Sequence, residues 1–261
     1  MKIIDTHSHI YSEEFDNDIE AVIDRAKKAG VEKILLPNID VSSIERLHAV
    51  SDKYTGYCIP MMGLHPTSVG ENWQEELDLI KRRLADRPYI AIGEIGLDFY
   101  WDKTFEKEQR LVFEEQLRWS IEYDLPVAIH SRDAISQCVS CVRNVGEENL
   151  RGVFHSFGGT VEELEEILSL NNFMLGINGV VTFKNSTLST VLKNTDLSHI
   201  IVETDSPYLA PVPYRGKRNE SSYTLNVVAK LAEIYGATPE EVGKITTENA
   251  EKLFALLTNA H

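Results

Sequence analysis

Short apolar runs rich in β-branched residues recur near residues 3–7, 33–37, 57–64, 90–95, 126–130, 152–156, 173–178 and 200–204. Each has the length and composition of a buried strand. Between them the period changes. Residues 20–29, 73–85, 105–123 and 161–170 mix apolar and charged positions at the spacing of an amphipathic helix. Ser42 with Glu45 and Thr160 with Glu163 have capping-box spacing, and Thr238-Pro239-Glu240-Glu241 places proline at the first position of a terminal helix over about 239–258. The pattern predicts eight strands separated by helices.

Strictly alternating strands and helices require parallel strands joined by right-handed crossovers, and eight such units fit the length of a (β/α)8 TIM barrel. An open doubly wound sheet is the competitor, but no glycine-rich phosphate loop follows the first strand. No linker, repeat or low-complexity tract divides the 261 residues. The expectation is an α/β chain forming one domain over residues 1–261, a (β/α)8 barrel with an additional C-terminal helix.

Charge narrows the partners. With 26 basic against 41 acidic residues the formal net charge is −15, so the surface as a whole repels polyanions. A divalent cation and a few local arginines can still dominate one cleft, so a phosphate-bearing substrate stays open. Three cysteines give no disulfide framework. With no apolar span of about 18 residues and no signal-peptide pattern, a cytoplasmic protein without membrane contact is expected. Nothing in the pattern calls for an obligate protein partner.

The candidate chemistry lies where a barrel puts it, at the C-terminal strand ends. His7 and His9 follow the first strand, His65 the third, Glu94 lies in the fourth, His130 and His155 end the fifth and sixth, and Asp205 follows the eighth. A purely structural role would scatter histidines over both barrel ends and the outer helices. His48, His199 and His261 fall elsewhere and receive no role. Four histidines and two carboxylates exceed the three protein ligands of a single catalytic zinc, and two ions sharing Glu94 account for them better. One ion takes His7, His9, Glu94 and Asp205, and the other Glu94, His130 and His155. Such a pair activates water near neutral pH and clamps both oxygens of a displacement. Asp205, beside that water, doubles as general base.

These residues carry a resemblance over essentially the whole chain. Asp5-Thr6-His7-Ser8-His9, Gly63-Leu64-His65-Pro66, Gly93-Glu94-Ile95-Gly96-Leu97-Asp98, Ile129-His130-Ser131-Arg132, His155-Ser156-Phe157, Glu203-Thr204-Asp205-Ser206-Pro207-Tyr208 and Arg215-Gly216-Lys217-Arg218-Asn219 stand in the order found in the TatD family of metal-dependent deoxyribonucleases. The chain resembles that family except for Ser156, where many relatives have cysteine. The resemblance implies a TIM barrel, two divalent ions (magnesium or manganese, with zinc seen in some crystals) and hydrolysis of DNA, often as a 3′–5′ exonuclease on single strands or 3′ ends. It implies the same six ligands, puts His65 at the substrate phosphate, and favours Arg215 as a substrate contact with Asn219 as loop anchor.

Several residues read two ways from sequence. Glu203 shares a face with Asp205 and is grouped with the substrate-side residues, where it orients a ligand or a water, or else forms an interior ion pair. Phe99-Tyr100-Trp101 either stacks on bases or packs a loop over the mouth. Cys138 and Cys141, one helical turn apart, read as helix packing. The alternative activity is a metal-dependent amidohydrolase or esterase acting on a small molecule. A non-catalytic binding module has no need of so many open-site ligands.

Overall fold

The computed structural model describes residues 1–101 and 103–256. His261 and the expected end of the last helix lie outside the described residues. Among those described, eight strands run β1 (Ile3–Asp5), β2 (Val31–Leu36), β3 (Cys58–Pro60), β4 (Ile92–Asp98), β5 (Val127–Arg132), β6 (Gly152–Phe154), β7 (Phe173–Ile177) and β8 (Ile200–Val202). The α-helices are α1 (Ile19–Lys28), α2 (Ile44–Lys53), α3 (Trp73–Arg83), α4 (Glu106–Tyr123), α5 (Ile135–Val145), α6 (Val161–Leu168), α7 (Leu188–Val191), α8 (Thr224–Tyr235) and α9 (Pro239–Leu253). None is long and apolar enough to cross a membrane.

Strands β1 to β3 and β4 to β8 form two parallel sheets in sequential order. Two isolated parallel bridges join them, Met62 to Ile92 and Ser8 to Ser206. The Thr6 N–H donates to the Val202 carbonyl at 3.1 Å across the β1/β8 seam. The result is a closed barrel, so the fold expected from the alternation is the fold observed.

Strand alternation sorts the apolar residues into an inner and an outer set. Ile4, Leu35, Met61, Ala128, Val153 and Ile201 form one cluster with Ala250, Leu253 and Phe254 at the end of α9. Their strand neighbours Ile129, Phe154, Ile200 and Val202 belong instead to the layer under the helices. The C-terminal helix thus packs on the inner set, and the opposite mouth is left to polar side chains.

Some local expectations shift. The Ser42–Glu45 capping box is not formed. Asp40 caps the preceding turn, its carboxylate accepting from Ser43 N–H at 3.0 Å, and Glu45 pairs with Arg83 at 2.9 Å. Asp40 wins because it lies in extended backbone ahead of the turn while Ser42 is already inside it. The boxes at Thr160/Glu163 and Thr238/Glu241 form as read. Strand β4 begins later and reaches Asp98, because its pairing with β5 continues to Arg132.

Candidate metal centre

The inner parity of three strands carries straight into the mouth. His130 lies two residues beyond inner Ala128, His155 two beyond Val153, and Glu203 two beyond Ile201. Asp205, two further on, sits in left-handed backbone at φ 58°, and its N–H donates to the His7 carbonyl at 2.9 Å. That bond turns the β8 exit toward the β1 exit. His7, His9, His65, Glu94 and His155 are all buried, although a cavity of ≈1450 Å³ opens on His9, His65, Glu94, His130, His155 and Asp205.

Glu94 stands at the centre with its two oxygens facing different imidazoles. Oε2 is 3.2 Å from His7 Nε2 and 3.6 Å from His9 Nε2. Oε1 is 3.0 Å from His130 Nδ1 and 3.6 Å from His155 Nε2. Asp205 Oδ1 faces His9 Nε2 at 3.5 Å and His7 Nε2 at 3.9 Å. Nitrogens of His7 and His9 with an oxygen of Glu94 lie within 4.8 Å of one another, as do those of His65, His130 and Glu94. Among the described residues no lysine or arginine pairs with Glu94 or Asp205. Two carboxylates ringed by imidazoles, Glu94 buried and Asp205 half-buried, make a donor set suited to divalent cations.

The far side of each imidazole decides which nitrogen is free for a ligand role. Tyr11 donates its hydroxyl to the Pro37 carbonyl at 2.6 Å and therefore accepts from His9 Nδ1 at 3.0 Å, leaving the His9 Nε2 lone pair aimed inward. Asp98 Oδ2 accepts from His130 Nε2 at 2.9 Å, which turns Nδ1 toward Glu94. Glu203 Oε1 lies 3.0 Å from His155 Nδ1, outside hydrogen-bond alignment, and accepts from the Ser156 N–H at 2.6 Å. His65 is built the other way. Its Nδ1 accepts from the Thr67 N–H at 3.1 Å, so the neutral ring carries its proton on Nε2, 3.4 Å from Glu94 Oε1. A nitrogen bearing a proton donates and cannot ligate, which separates His65 from His9 and His130.

This geometry corrects one assignment. Glu203, grouped with the substrate-side residues from sequence, is fully buried behind His155 and does not line the cavity. It packs so closely on Gly176 that a Cβ there would lie 2.3 Å from Glu203 Oε2. It faces the ring of His155, not the cavity. Tyr11 and Asp98 were missed, although Asp98 belongs to a quoted motif; nothing in sequence marked Tyr11 except its place two residues after His9.

Electrostatics follow from the crowding. Burial raises the Glu94 pKa, but His65, His7 and His155 together hold it well below the ordinary carboxylate range. Burial likewise opposes protonation of His155, yet Glu203, Glu94 and Asp205 outweigh it and push its pKa up to about 10. His7, stacked on His155 with ring centroids 3.4 Å apart, is shifted down by burial and by that neighbour. Without metal the site therefore holds protons at neutral pH. A cation must displace them, so metal affinity rises with pH and uptake at pH 7 should release about one proton or more. Calorimetry of Mn²⁺ binding in buffers of different ionisation enthalpy measures this, and a buffer-independent heat would overturn it.

Outside the mouth, the 215–219 loop does not behave as one cluster. The Arg215 guanidinium lies over the Phe183 ring at 3.7 Å and does not line the cavity. Arg218 clamps Asp18 through two bonds of 2.8 and 2.7 Å and covers Phe15. Asn219 anchors the loop by donating to the Thr204 and Tyr208 carbonyls at 2.9 and 2.7 Å. With Arg215 stacked away from the cavity, Arg215→Ala should change KM less than about twofold, whereas His65→Ala, which removes an Nε2–H donor from the cavity lining, should raise it about tenfold or more. Steady-state kinetics on one substrate would decide; the reverse order would mean the loop swings over the substrate. Cys138 and Cys141 are free thiols buried on α5. His48 bonds the Tyr89 hydroxyl at 2.8 Å, away from the cavity.

Comparison with known proteins places this geometry in context. The model of a family described as TatD related DNase matches residues 4–255. The uncharacterized metal-dependent hydrolase YabD of Bacillus subtilis is 39% identical over 255 residues, spanning 97% of this chain and 99% of its own. A protein of Pectobacterium carotovorum named 3′-5′ ssDNA/RNA exonuclease TatD is 32% identical over 261 residues, covering 97% of this chain and all (100%) of that one. The crystal structure of YjjV, a TatD homolog from Escherichia coli, superposes with a TM-score of 0.89 at 29% identity, over 97% of this chain and 98% of YjjV.

Proposed function

This chain belongs to the TatD-related DNase family and is a metal-dependent hydrolase, and from that premise we propose that it hydrolyses phosphodiester bonds of DNA, removing nucleotides from unpaired 3′ ends as a single barrel domain over residues 1–261. The observation that carries the reading is the division of the Glu94 carboxylate, one oxygen toward His7 and His9 and the other toward His130 and His155. That arrangement suits two cations sharing one carboxylate. The name of the Pectobacterium relative, an exonuclease on single-stranded DNA and RNA, supports the choice of substrate.

In this reading His7, His9, Glu94 and Asp205 would hold one divalent ion and Glu94, His130 and His155 the other, with magnesium or manganese as working metals. Such ions supply positive charge to the phosphate oxygens and lower the pKa of water. The chain's own groups do the rest. Asp205, the most exposed of the two central carboxylates at 15% for its side chain against 3% for Glu94, is placed to accept the proton of an attacking water. His65 offers its Nε2 proton to a phosphate oxygen, and burial lowers its pKa, which favours that neutral donor form. Tyr11 and Asp98 fix the His9 and His130 rings from behind, and Glu203 sets a negative charge behind His155.

The test is release of labelled nucleotide from a 3′-labelled single-stranded oligonucleotide with Mg²⁺ or Mn²⁺. Metal-dependent release whose affinity falls as salt rises is the expected result. A metal-loaded protein that releases no label yet hydrolyses small amides or esters, with no salt dependence, would replace this reading with the small-molecule one.

A further inference from the structure

One cationic group at the rim of the mouth is left unused by the site. Arg132, at the end of β5 and two residues beyond His130, is exposed and lines the cavity together with Trp101. Its guanidinium lies 3.8 Å from the centroid of the Tyr100 ring and 5.1 Å from that of Trp101. The two rings meet edge to face, 4.9 Å apart, and remain 54% and 70% exposed, Trp101 being the most exposed aromatic side chain among the described residues. Among the described residues no carboxylate pairs with Arg132, whereas the nearby Arg110 is held by Glu106 at 3.0 Å. On a protein of net charge −15, an arginine left unpaired beside an acidic cavity is available to an anion.

The loop that carries the rings is tied to the metal centre. Asp98, whose Oδ2 holds His130, accepts with Oδ1 from the Tyr100 and Trp101 N–H groups at 3.1 and 3.3 Å. The Phe99 N–H donates to the Arg132 carbonyl at 3.0 Å, fixing the arginine against the same turn. Guanidinium and exposed indole thus stand at a fixed offset from the imidazole nearest them.

We propose that Arg132, Tyr100 and Trp101 form a nucleotide-reading subsite at the rim. Arg132 takes a phosphate neighbouring the scissile one, its planar group held flat by Tyr100, and the open face of Trp101 stacks on a nucleobase. The proposal rests on the nuclease reading above and adds to it a requirement for a base, not only a phosphodiester, beside the bond cleaved.

Two 5′-labelled single-stranded oligodeoxynucleotides test it in the manganese-loaded protein, one with all its bases and one abasic at its 3′-terminal positions. Wild type should show a KM about tenfold lower for the intact strand, and Trp101→Ala should lose that preference. Arg132→Ala should raise KM about tenfold on both strands, and Arg132→Lys should recover only part of this, since an ammonium keeps the charge without the planar face. Equal KM for the two strands in wild type, or a preference that survives Trp101→Ala, overturns the stacking role. A wild-type KM in Arg132→Ala overturns the phosphate role, and loss of bound metal in that variant shows the side chain to be part of the site's scaffold instead. Failure of wild type to cleave either strand is a different result, which removes the nuclease reading itself and this subsite with it.

Discussion

Glu94→Ala is expected to abolish hydrolysis, by about 10³-fold or more, and to lower bound metal to one ion or none. Among the described residues Glu94 is the only carboxylate whose two oxygens face both sets of imidazoles, at 3.2 Å to His7 Nε2 on one side and 3.0 Å to His130 Nδ1 on the other. Its removal takes a ligand from both proposed ions at once, and it leaves buried imidazoles facing one another without their central counter-charge. Breaking a buried pair of this kind costs about 3–5 kcal/mol, so folding must be checked by melting before activity is read. Glu94→Gln keeps the volume and one carbonyl oxygen and serves as the folded companion. Metal content by atomic spectroscopy and nucleotide release by gel together decide. Full occupancy with two ions in Glu94→Ala would refute the bridging role, whatever the activity.

Asp205→Asn should lower kcat by about 10²–10⁴-fold with a smaller effect on KM, the range for loss of a positioned general base. Asn is the apt replacement because Asp205 sits at φ 58°, where asparagine is tolerated better than most residues. The Asp205 N–H bond to the His7 carbonyl is a backbone bond and survives the change. Burial raises the Asp205 pKa, but His155, His9 and His7 hold it below the ordinary aspartate range. The carboxylate is therefore ionised at neutral pH, and in this variant the acid limb of the kcat profile should shift or vanish. An unchanged kcat and profile would assign the proton transfer to another group.

What was legible in the sequence follows from how strongly each signal is periodic. The strand and helix alternation was readable because buried parallel strands demand unbroken apolar runs and outer helices demand a charged face. Convergence of His7, His9, His130, His155 and Asp205 was readable because they lie toward or just past the C-terminal ends of their strands, which a barrel brings to one mouth, whereas Glu94 lies nearer the start of β4 than the apolar run placed it. The supports were not. Tyr11 reaches His9 Nδ1 only because the chain folds back over Pro37, and Glu203 could face cavity or scaffold with the same strand parity. Arg215 and Arg132 illustrate the same limit from opposite sides. Both are arginines on loops or strand ends near the mouth, but one is turned onto Phe183 and the other onto the rim aromatics, by contacts between segments far apart in the chain.

The sequence by itself determined the architecture and the membership of the site, since periodicity sets which residues face inward and strand ends set which of them meet. Only the tertiary structure decided what each member faces. It separated His65, a proton donor held by Thr67, from His9 and His130, whose lone pairs turn inward, and it moved Glu203 from the cavity to the back of His155. The physical reason is that an imidazole's role depends on which nitrogen carries the proton. That choice belongs to the partner on the ring's far side, a long-range contact that no local pattern encodes.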